Sequence, residues 1–424
     1  MTGTRPDEGS PEEAWLPARA LVVGLARSGR AAAAALAGRG VHVVATDRSP
    51  EVDPGRLGDL GVELRLGTEE EALLEGAELV VKSPGVPAGS ALVAGARSRG
   101  IPVWSEVELG YRLLPAGSRV ISVTGTNGKT TTTELLGAIL RAAGRPVEVA
   151  GNVGRALTDA ALEAAEGSWI VCELSSFQLE DVETFACDVA VLLNLEPDHL
   201  DRHQTFDAYR AAKLRIFERA REKVVPRGFE IAGIEFSADD PLPAEPLMPG
   251  RHNRENAAAA TAAARAAGVP DDAIAEALST FPGVTHRLEL VRELHGVRWV
   301  NDSKATNTAA ARRGVAAYDS TALRLILGGS LKGEDFGPFA RDLPANVRSI
   351  YLVGAASDEL AAALDAAGRT YVRAGDIATA VALAAADAEP GDVVLLSPAS
   401  ASYDQFANFE ERGDTFRGLV EELS

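Results

Sequence analysis

From Arg19 onward the chain repeats one pattern: a short, continuously apolar run ends in glycine or a polar residue, and a helix-favouring stretch follows. Runs apolar at every position read as strands buried on both faces, and alternation with helices implies parallel sheets. Arg19-Ala-Leu-Val-Val-Gly24 is the first such strand, leading through Gly24-Leu-Ala-Arg-Ser-Gly29 into an Ala-rich helix to about Ala37. Val41 to Thr46 is the second and ends at Asp47; Leu79-Val-Val-Lys82 enters a Pro/Gly loop at Ser83. The alternation runs to about Leu114, where Leu114-Pro-Ala-Gly-Ser118 marks a boundary. Strands follow at Val120–Val123, Trp169–Glu173 and Val189–Leu193, and Tyr209 to Arg221 reads as a helix. Val224 to Gly250 is Pro-rich, with at most two short strands, and Arg251–Asn256 opens a long Ala helix. A last block begins near Thr285. Its strands are Val297–Val300, Arg324–Leu327, Ile350–Val353 and Val393–Leu396, and its final helix is expected to carry Asp404, Phe406 and Phe409.

At about 150 residues per domain, 424 residues suggest about three domains. The expected division is a disordered leader at 1–17 and domains at 18–117, 118–284 and 285–424. Met1 to Pro17 is acidic and Pro-rich and lacks an apolar core, so it does not read as a signal peptide.

The stretch around which the rest is organised is Thr124-Gly-Thr-Asn-Gly-Lys-Thr130, set between the strand at Val120 and an apolar helical run. A strand, a Gly-rich loop ending in Gly-Lys-Thr and a helix make a phosphate cradle. Backbone N–H groups face the anion, Lys129 reaches the outer phosphates, and the Thr130 hydroxyl can hold Mg²⁺. The usual first glycine position is Val123 here, with Gly125 two residues later. Glu173, Asp198 and His199 follow apolar strands of the same domain, and strand ends of an open parallel sheet share one edge. Carboxylates with a histidine beside a triphosphate suit Mg²⁺. The opening Gly24-x-Ala26-x-x-Gly29 is a weaker dinucleotide fingerprint, because its middle glycine is alanine.

Composition narrows the partners. A net charge of −19 argues against nucleic acid and anionic membranes, and no apolar run reaches the ~20 residues of a membrane span. Two cysteines, Cys172 and Cys187, give neither a disulfide framework nor zinc spacing, so the cytoplasm is the expected compartment. Of 42 Lys+Arg only six are lysine: Lys82, Lys129, Lys213, Lys223, Lys304 and Lys332. Arginine serves as the general surface cation, so a lysine is more often present for chemistry arginine cannot do. Lys213 by itself reads as a solvated helix lysine, and Lys82 and Lys223 as charges that arginine could replace.

Together with TGTNGKT, the segments ELSSFQLE at 173–180, PDHLDRH at 197–203, NDSKATN at 301–307 and SPASASYDQFANFEERG at 397–413 resemble the Mur ligases, ATP-dependent enzymes of bacterial cell-wall precursor synthesis. The resemblance runs from about Ala20 to the C-terminus and is greatest to the member that adds glutamate to UDP-N-acetylmuramoyl-L-alanine. It implies an α/β fold of three domains: Rossmann-like, P-loop ATPase-type with a central parallel sheet, and Rossmann-like again. It implies ATP, two Mg²⁺ sites and a CO₂-derived carbamate on Lys213. Nucleotide would meet Gly125, Thr126, Asn127, Gly128, Lys129, Thr130, Thr131, Asn256, Arg287 and Asp302. Thr130, Glu173, His199 and Lys213 would be the metal ligands. Arg27, Ser28, Asp47 and Gly85 would lie at the uridine end of the acceptor, and Asn152 and Ser175 along it. Thr306, Lys332, Ser402 and Phe409 would surround glutamate, D-glutamate being the expected isomer, with Lys304 near the reacting groups. Lys129, His199, Lys213 and Lys304 carry the catalysis on this reading. A monomer is expected. The segment from Lys213 to Gly250 is short for the family, which implies trimmed peripheral strands in the central domain.

Three rivals remain. A folyl-polyglutamate synthase of the same superfamily would lack use for the α/β domain before Arg119. A nicotinamide-dependent oxidoreductase would need the missing glycine at Ala26. A non-catalytic nucleotide switch would not need an acceptor and an amino acid for turnover.

Overall fold

A computed structural model describes residues 15–424 apart from 153, 249 and 332, with the backbone alone of 200 and 201. The chain forms two compact units, one of residues up to Pro246 together with His252–Thr280, the other of Leu247–Arg251 together with Phe281–Ser424.

The first unit holds two sheets. β1 (Arg19–Val23), β2 (His42–Asp47), β3 (Glu63–Leu66), β4 (Leu79–Lys82) and β5 (Val103–Ser105) are all parallel, in the order β3-β2-β1-β4-β5. β6 (Arg119–Thr124), β7 (Val147–Gly151), β8 (Trp169–Glu173), β9 (Cys187–Leu192), β10 (Ala220–Pro226) and β11 (Ile234–Phe236) are also parallel, in the order β11-β10-β9-β6-β8-β7. Leu21, Val22, Ile121, Ile170 and Val171 have no exposed surface, as strands covered on both faces require. The second unit holds β12 (Glu289–Leu294), β13 (Val297–Asn301), β14 (Leu323–Gly328), β15 (Val347–Val353), β16 (Val372–Gly375) and β17 (Val393–Leu396), in the order β12-β13-β17-β14-β15-β16, with only β12 antiparallel among them. No helix among the described residues is long and apolar enough to cross a membrane.

Two expected helices are corrected. The helix expected over Tyr209–Arg221 spans Phe206–Leu214, and β10 begins at Ala220. Val224 and Val225 are fully buried, and pairing to β9 overrides any helical preference of the charged residues before them. The final helix begins at Phe409, not before Asp404, because the Asn408 side chain caps it by accepting the Glu411 N–H at 2.7 Å. β10 and β11 are the outer strands of the second sheet on the side of the short Lys213–Gly250 segment. Of the expected leader, residues 1–14 lie outside the described residues. Trp15 packs on Trp104 with ring centroids 5.8 Å apart, and the Arg112 guanidinium lies 4.1 Å over Trp104.

The helix Glu106–Arg112 follows β5 of the first sheet and is shared by both cores, Leu109 packing with the first sheet and Val107 and Tyr111 with the second. Val107, Tyr111 and Leu114 share a core with Val120, Leu157 and Ile170. Gly110 permits this approach, since a Cβ there would come 2.7 Å from the Thr158 nitrogen. Glu108 accepts the N–H groups of Glu183, Thr184 and Phe185 at 2.8–3.0 Å, as well as Arg112 Nε at 2.7 Å. Burial pushes its carboxyl up, but the hydrogen bonds outweigh burial and hold it below the usual range. Glu106 accepts Thr158 N–H and Oγ–H, both at 2.6 Å, and burial drives its pKa up to about 7. The folded chain therefore binds more protons than the unfolded chain between pH 4.5 and about 7, so stability from this group falls as pH rises through that window. Glu106→Gln keeps an acceptor for Thr158 and removes the titration. The difference in melting temperature, variant minus parent, is expected to grow in the variant's favour from pH 5 towards about pH 8. A difference independent of pH would show that Glu106 does not titrate there.

Candidate active site

β6 lies inside its sheet, so the loop after it opens at the middle of the sheet edge. Gly125 takes φ 155° and Gly128 φ 82°, conformations that favour glycine. A Cβ on Gly128 would also lie 2.2 Å from Asn256 Oδ1, so the loop must be bare where the Asn256 helix crosses it. Val123, at the usual first-glycine position, is a buried strand residue. The segment after β9 braces the loop. Asn127 N–H donates to Asn194 Oδ1 at 2.8 Å, Thr126 N–H to the Asn194 carbonyl at 3.1 Å, and Asn127 Nδ2 to Glu196 at 2.9 Å. Lys129 Nζ folds back onto the carbonyls of Gly125 and Thr126, both at 2.9 Å. Thr130 and Thr131 sit in the first turn of the helix Lys129–Ala142, whose N–H groups lack intrahelical acceptors and form an anion seat.

Beside this loop stand a carboxylate and a second lysine. Glu173 ends β8, is 2% exposed, and accepts Asn152 Nδ2 at 3.1 Å. Gly151 is required there, because a Cβ would lie 2.1 Å from the Glu173 carbonyl. Lys213 is not a solvated helix lysine: it is 2% exposed, and its Nζ donates to the Gly125 carbonyl at 2.8 Å. Burial, then repulsion from Lys129, lowers its pKa to about 7, against the pull of Asp198 and Glu173. The Tyr209 ring lies 4.8 Å from Nζ, and its hydroxyl is 2.9 Å from Thr126 Oγ1. His199 sits at φ 51° with a half-exposed ring, its Nε2 3.5 Å from Asp198. Among the described residues no three His, Cys, Asp or Glu side chains form a ready cluster for a metal. The donors here are one hydroxyl, the Glu173 and Asp198 carboxylates and one imidazole beside a lysine, and a hard cation would complete its oxygen shell from a ligand or from a modified Lys213.

At the first sheet, the loops after β1, β2 and β4 converge. A Cβ on Gly29 would lie 1.8 Å from the Gly24 carbonyl, and Ser83 Oγ donates to that carbonyl at 2.7 Å. Asp47 is committed to backbone, its two oxygens accepting Leu25 N–H and Ser49 N–H at 2.8 and 2.9 Å. It braces the glycine loop. Arg27 donates to the Gly154 carbonyl. Ser28 is half-buried, Gly85 is exposed, and Ser175 caps the helix Ser176–Leu179 in a reciprocal pair with Gln178.

The second unit gathers another group of the expected residues at its strand ends. Asp302, after β13, accepts Ser397 Oγ at 2.7 Å and Leu288 N–H at 3.3 Å; burial first, only partly offset by Ser397 and Arg287, raises its pKa to about 7. Lys304 Nζ lies 6.0 Å from the Phe409 ring, which His286 meets edge-on at 6.2 Å. Thr306 N–H donates to the Lys304 carbonyl at 2.9 Å, and Ser402 is buried after β17. Lys332 lies outside the described residues.

Sequence reasoning missed the residue that ties these loops together. Arg412, 1% exposed, donates to Ser303 Oγ and O at 2.9 and 2.8 Å and to the carbonyls of Ser400 and Ala401 at 3.0 and 2.9 Å. Burial lowers its pKa to about 10. The signal was present in FEERG at 409–413, but nothing in sequence says that one arginine of a helix points inward. Lys82 is a further correction. It is not a surface charge: its side chain is fully buried, with Nζ 2.9 Å from Asp181 Oδ2, while Arg97 meets the other oxygen at 2.5 Å.

Models of three domain families match the chain in order: the Mur ligase MurD-like N-terminal domain at 18–105, the Mur ligase middle domain at 123–234 and the Mur ligase glutamate ligase domain at 286–400. The chain belongs to the Mur ligase family. Within it, the chain is 43% identical to a UDP-N-acetylmuramoylalanine--D-glutamate ligase of Anaeromyxobacter dehalogenans, over 95% of this chain and 97% of that one. The protein of the same name from Geobacillus kaustophilus is 41% identical, over 96% and 98%. Among solved structures, UDP-N-acetylmuramate-alanine ligase MurC of Thermotoga maritima shares the fold at 18% identity, with a TM-score of 0.58 over 95% of this chain and 99% of that one. FolC of E. coli, in complex with DHPP and ADP, does so at 20% identity, with a TM-score of 0.53 over 75% of this chain and 92% of that one.

Proposed function

We propose that this chain is a cytoplasmic, ADP-forming ligase that joins D-glutamate to the alanyl carboxylate of UDP-N-acetylmuramoyl-L-alanine at the cost of ATP. The observation that carries the reading is identity of about 40% along the whole chain to ligases of that name. The phosphate loop beside Glu173 and Lys213 supplies a site for the chemistry. Folyl-polyglutamate synthesis is disfavoured because the FolC likeness covers only 75% of this chain.

An acceptor carboxylate oxygen attacks the terminal phosphorus of ATP, ADP leaves, and an acyl phosphate forms. The glutamate amine attacks the carbonyl carbon, the C–O bond to phosphate breaks, and the amine proton is lost as the amide forms. Two anions must approach in the first step. Lys129 leaves the Gly125 and Thr126 carbonyls for the outer phosphates, and the helix N–H groups hold the rest. Thr130, Glu173, His199 and a carbamylated Lys213 would hold Mg²⁺, which when bound would supply neutralisation of the phosphate charge. Asn256, Arg287 and Asp302 contact the nucleotide. Arg27, Ser28, Asp47, Gly85, Asn152 and Ser175 serve the acceptor, and Thr306, Lys332, Ser402 and Phe409 serve glutamate with Lys304 near the reacting groups.

The deciding experiment is phosphate release from ATP across a panel of UDP-muramoyl acceptors and amino acids. Release requiring both UDP-N-acetylmuramoyl-L-alanine and D-glutamate is expected, and equal turnover with another amino acid or a folate acceptor would overturn the reading.

Carbamate formation needs a neutral amine, and a pKa of about 7 leaves about half of Lys213 neutral at neutral pH. Its nitrogen bonds to the carbon of CO₂ and releases a proton, turning a cation into an oxygen-donor anion. Lys213→Arg and Lys213→Ala are expected to lose ligation, arginine because it stays protonated. Formate or acetate is expected to restore part of the activity to the alanine variant only. A fully active Lys213→Arg protein would eliminate the carbamate.

A further inference from the structure

Arg202 joins two parts of the first unit that the reaction uses separately. Its Nη2 donates to the Val86 carbonyl at 2.7 Å, and its guanidinium carbon lies 4.0 Å from the Phe177 ring centroid. Val86 belongs to the turn after β4, closed by its N–H to the Ser83 carbonyl at 3.0 Å. Its side chain lies against Gly24, where a Cβ would come 2.7 Å from Val86 Cγ2. The β4 turn and the glycine loop after β1 are therefore one packed piece, and Gly85 is its exposed tip. On the other side, Phe177 follows Glu173 and Ser175 in sequence and touches the histidines of the 197–203 segment. It stacks on His203 at 5.2 Å with planes 10° apart and meets His199 at 5.0 Å. His203 is fixed in turn by Ser176 Oγ at 2.9 Å and by Glu180 at 3.3 Å.

We propose that Arg202 is a positioning residue that couples occupancy of the acceptor's nucleotide end, at the β1 and β4 loops, to the placement of the His199 turn. Arginine suits this because one planar group can donate in its plane and stack through its face at once. A shift of the Val86 carbonyl moves the guanidinium, and the guanidinium shares the Phe177 ring with His199. The backbone of the turn tightens the link, since the Arg202 N–H donates to the His199 carbonyl at 3.1 Å. The consequence is order: the phosphate site is set for transfer when acceptor is present, which limits idle hydrolysis of ATP.

The inference rests on the ligase reading and is tested by a quantity that reading does not fix. Binding of UDP-N-acetylmuramoyl-L-alanine is measured by calorimetry with and without saturating Mg·ADP. Coupling between two sites is reciprocal and typically 5-fold or more, so the parent is expected to bind acceptor at least about 5-fold more tightly with Mg·ADP present. In Arg202→Met the ratio is expected to approach about 1 while each ligand alone binds within about 2-fold of the parent. Phe177→Leu is expected to lose the coupling as well, and the double variant to lose no more than either single one, as for two members of one path. Arg202→Lys, which can donate but lacks the planar face, is expected to fall between. A parent without coupling, or an Arg202→Met protein that keeps it, would overturn the proposal. So would a variant that melts early and loses both separate affinities, since Arg202 would then be a plain structural brace. Failure of the parent to ligate at all would instead sink the reaction.

Discussion

Lys129→Ala is expected to lower ligation by on the order of 10³-fold or more, the loss seen when a preorganised cation is removed from a phosphoryl-transfer site. Folding should survive. Lys129 is a half-buried side chain whose partners include two loop carbonyls, and Lys213 donates to one of these already. The melting temperature is expected to stay within about 4 °C, the shift of a loss near 1 kcal/mol. The sharper expectation concerns where the loss falls. Lys129 Nζ donates to the Gly125 and Thr126 carbonyls, so the proposed contact with phosphate would require it to leave them. Single-turnover acyl-phosphate formation should fall with the overall rate, while acceptor affinity stays at the parent value. Near-normal turnover would remove this loop from the mechanism.

Lys82→Met is expected to be the most destabilising single change among the lysines. Removing one partner of a buried ion pair leaves the other charge uncompensated, which costs about 3–5 kcal/mol. Arg97 still reaches Asp181, but its side chain is 44% exposed, whereas those of Lys82 and Asp181 are 0% and 3% exposed. The lower end of that range is therefore expected, a fall of about 6–12 °C in melting temperature. Lys82→Arg should also lose stability, by about 1–3 kcal/mol, because a broader head must enter a closed space. Replacing both partners, Lys82→Met with Asp181→Leu, is expected to recover most of the loss. If Lys82→Arg melts with the parent, the burial argument fails and the lysine is only a charge.

These two lysines mark what could be read from sequence. The loop around Lys129 declares itself because strand, glycines, lysine and helix are contiguous, and local chemistry fixes their geometry. The apolar runs likewise gave the central strands of all three sheets. Lys82 did not declare itself, because its partner Asp181 lies in a distant segment and nothing local distinguishes a buried strand-end lysine from a solvated one. Lys213 was ambiguous for the same reason. Its helix looks amphipathic and solvated until the Gly125 carbonyl is placed against it. Arg412 stood in the FEERG segment, but its inward direction was not legible because its acceptors come from loops after separate strands. The misread ends at Leu214 and Phe409 are cases where sheet pairing and a capping asparagine decided what periodicity left open.

The helix Glu106–Arg112 has a consequence for anyone cutting this chain. The covalent boundary at Leu114–Ser118 looks like a natural place to end a fragment, yet the helix before it contributes to the core packed on the second sheet. A piece ending there would carry Glu106 and Glu108 away from Thr158, Glu183, Thr184 and Phe185, and would expose Val107 and Tyr111 to water. The first two sheets are in this sense one folding unit that shares a buried core. Nucleotide-binding measurements on a truncated first sheet would report on an unfolded helix as much as on a binding loop. The seam for dissection is where hydrogen bonds do not cross, and residue 118 is not such a place.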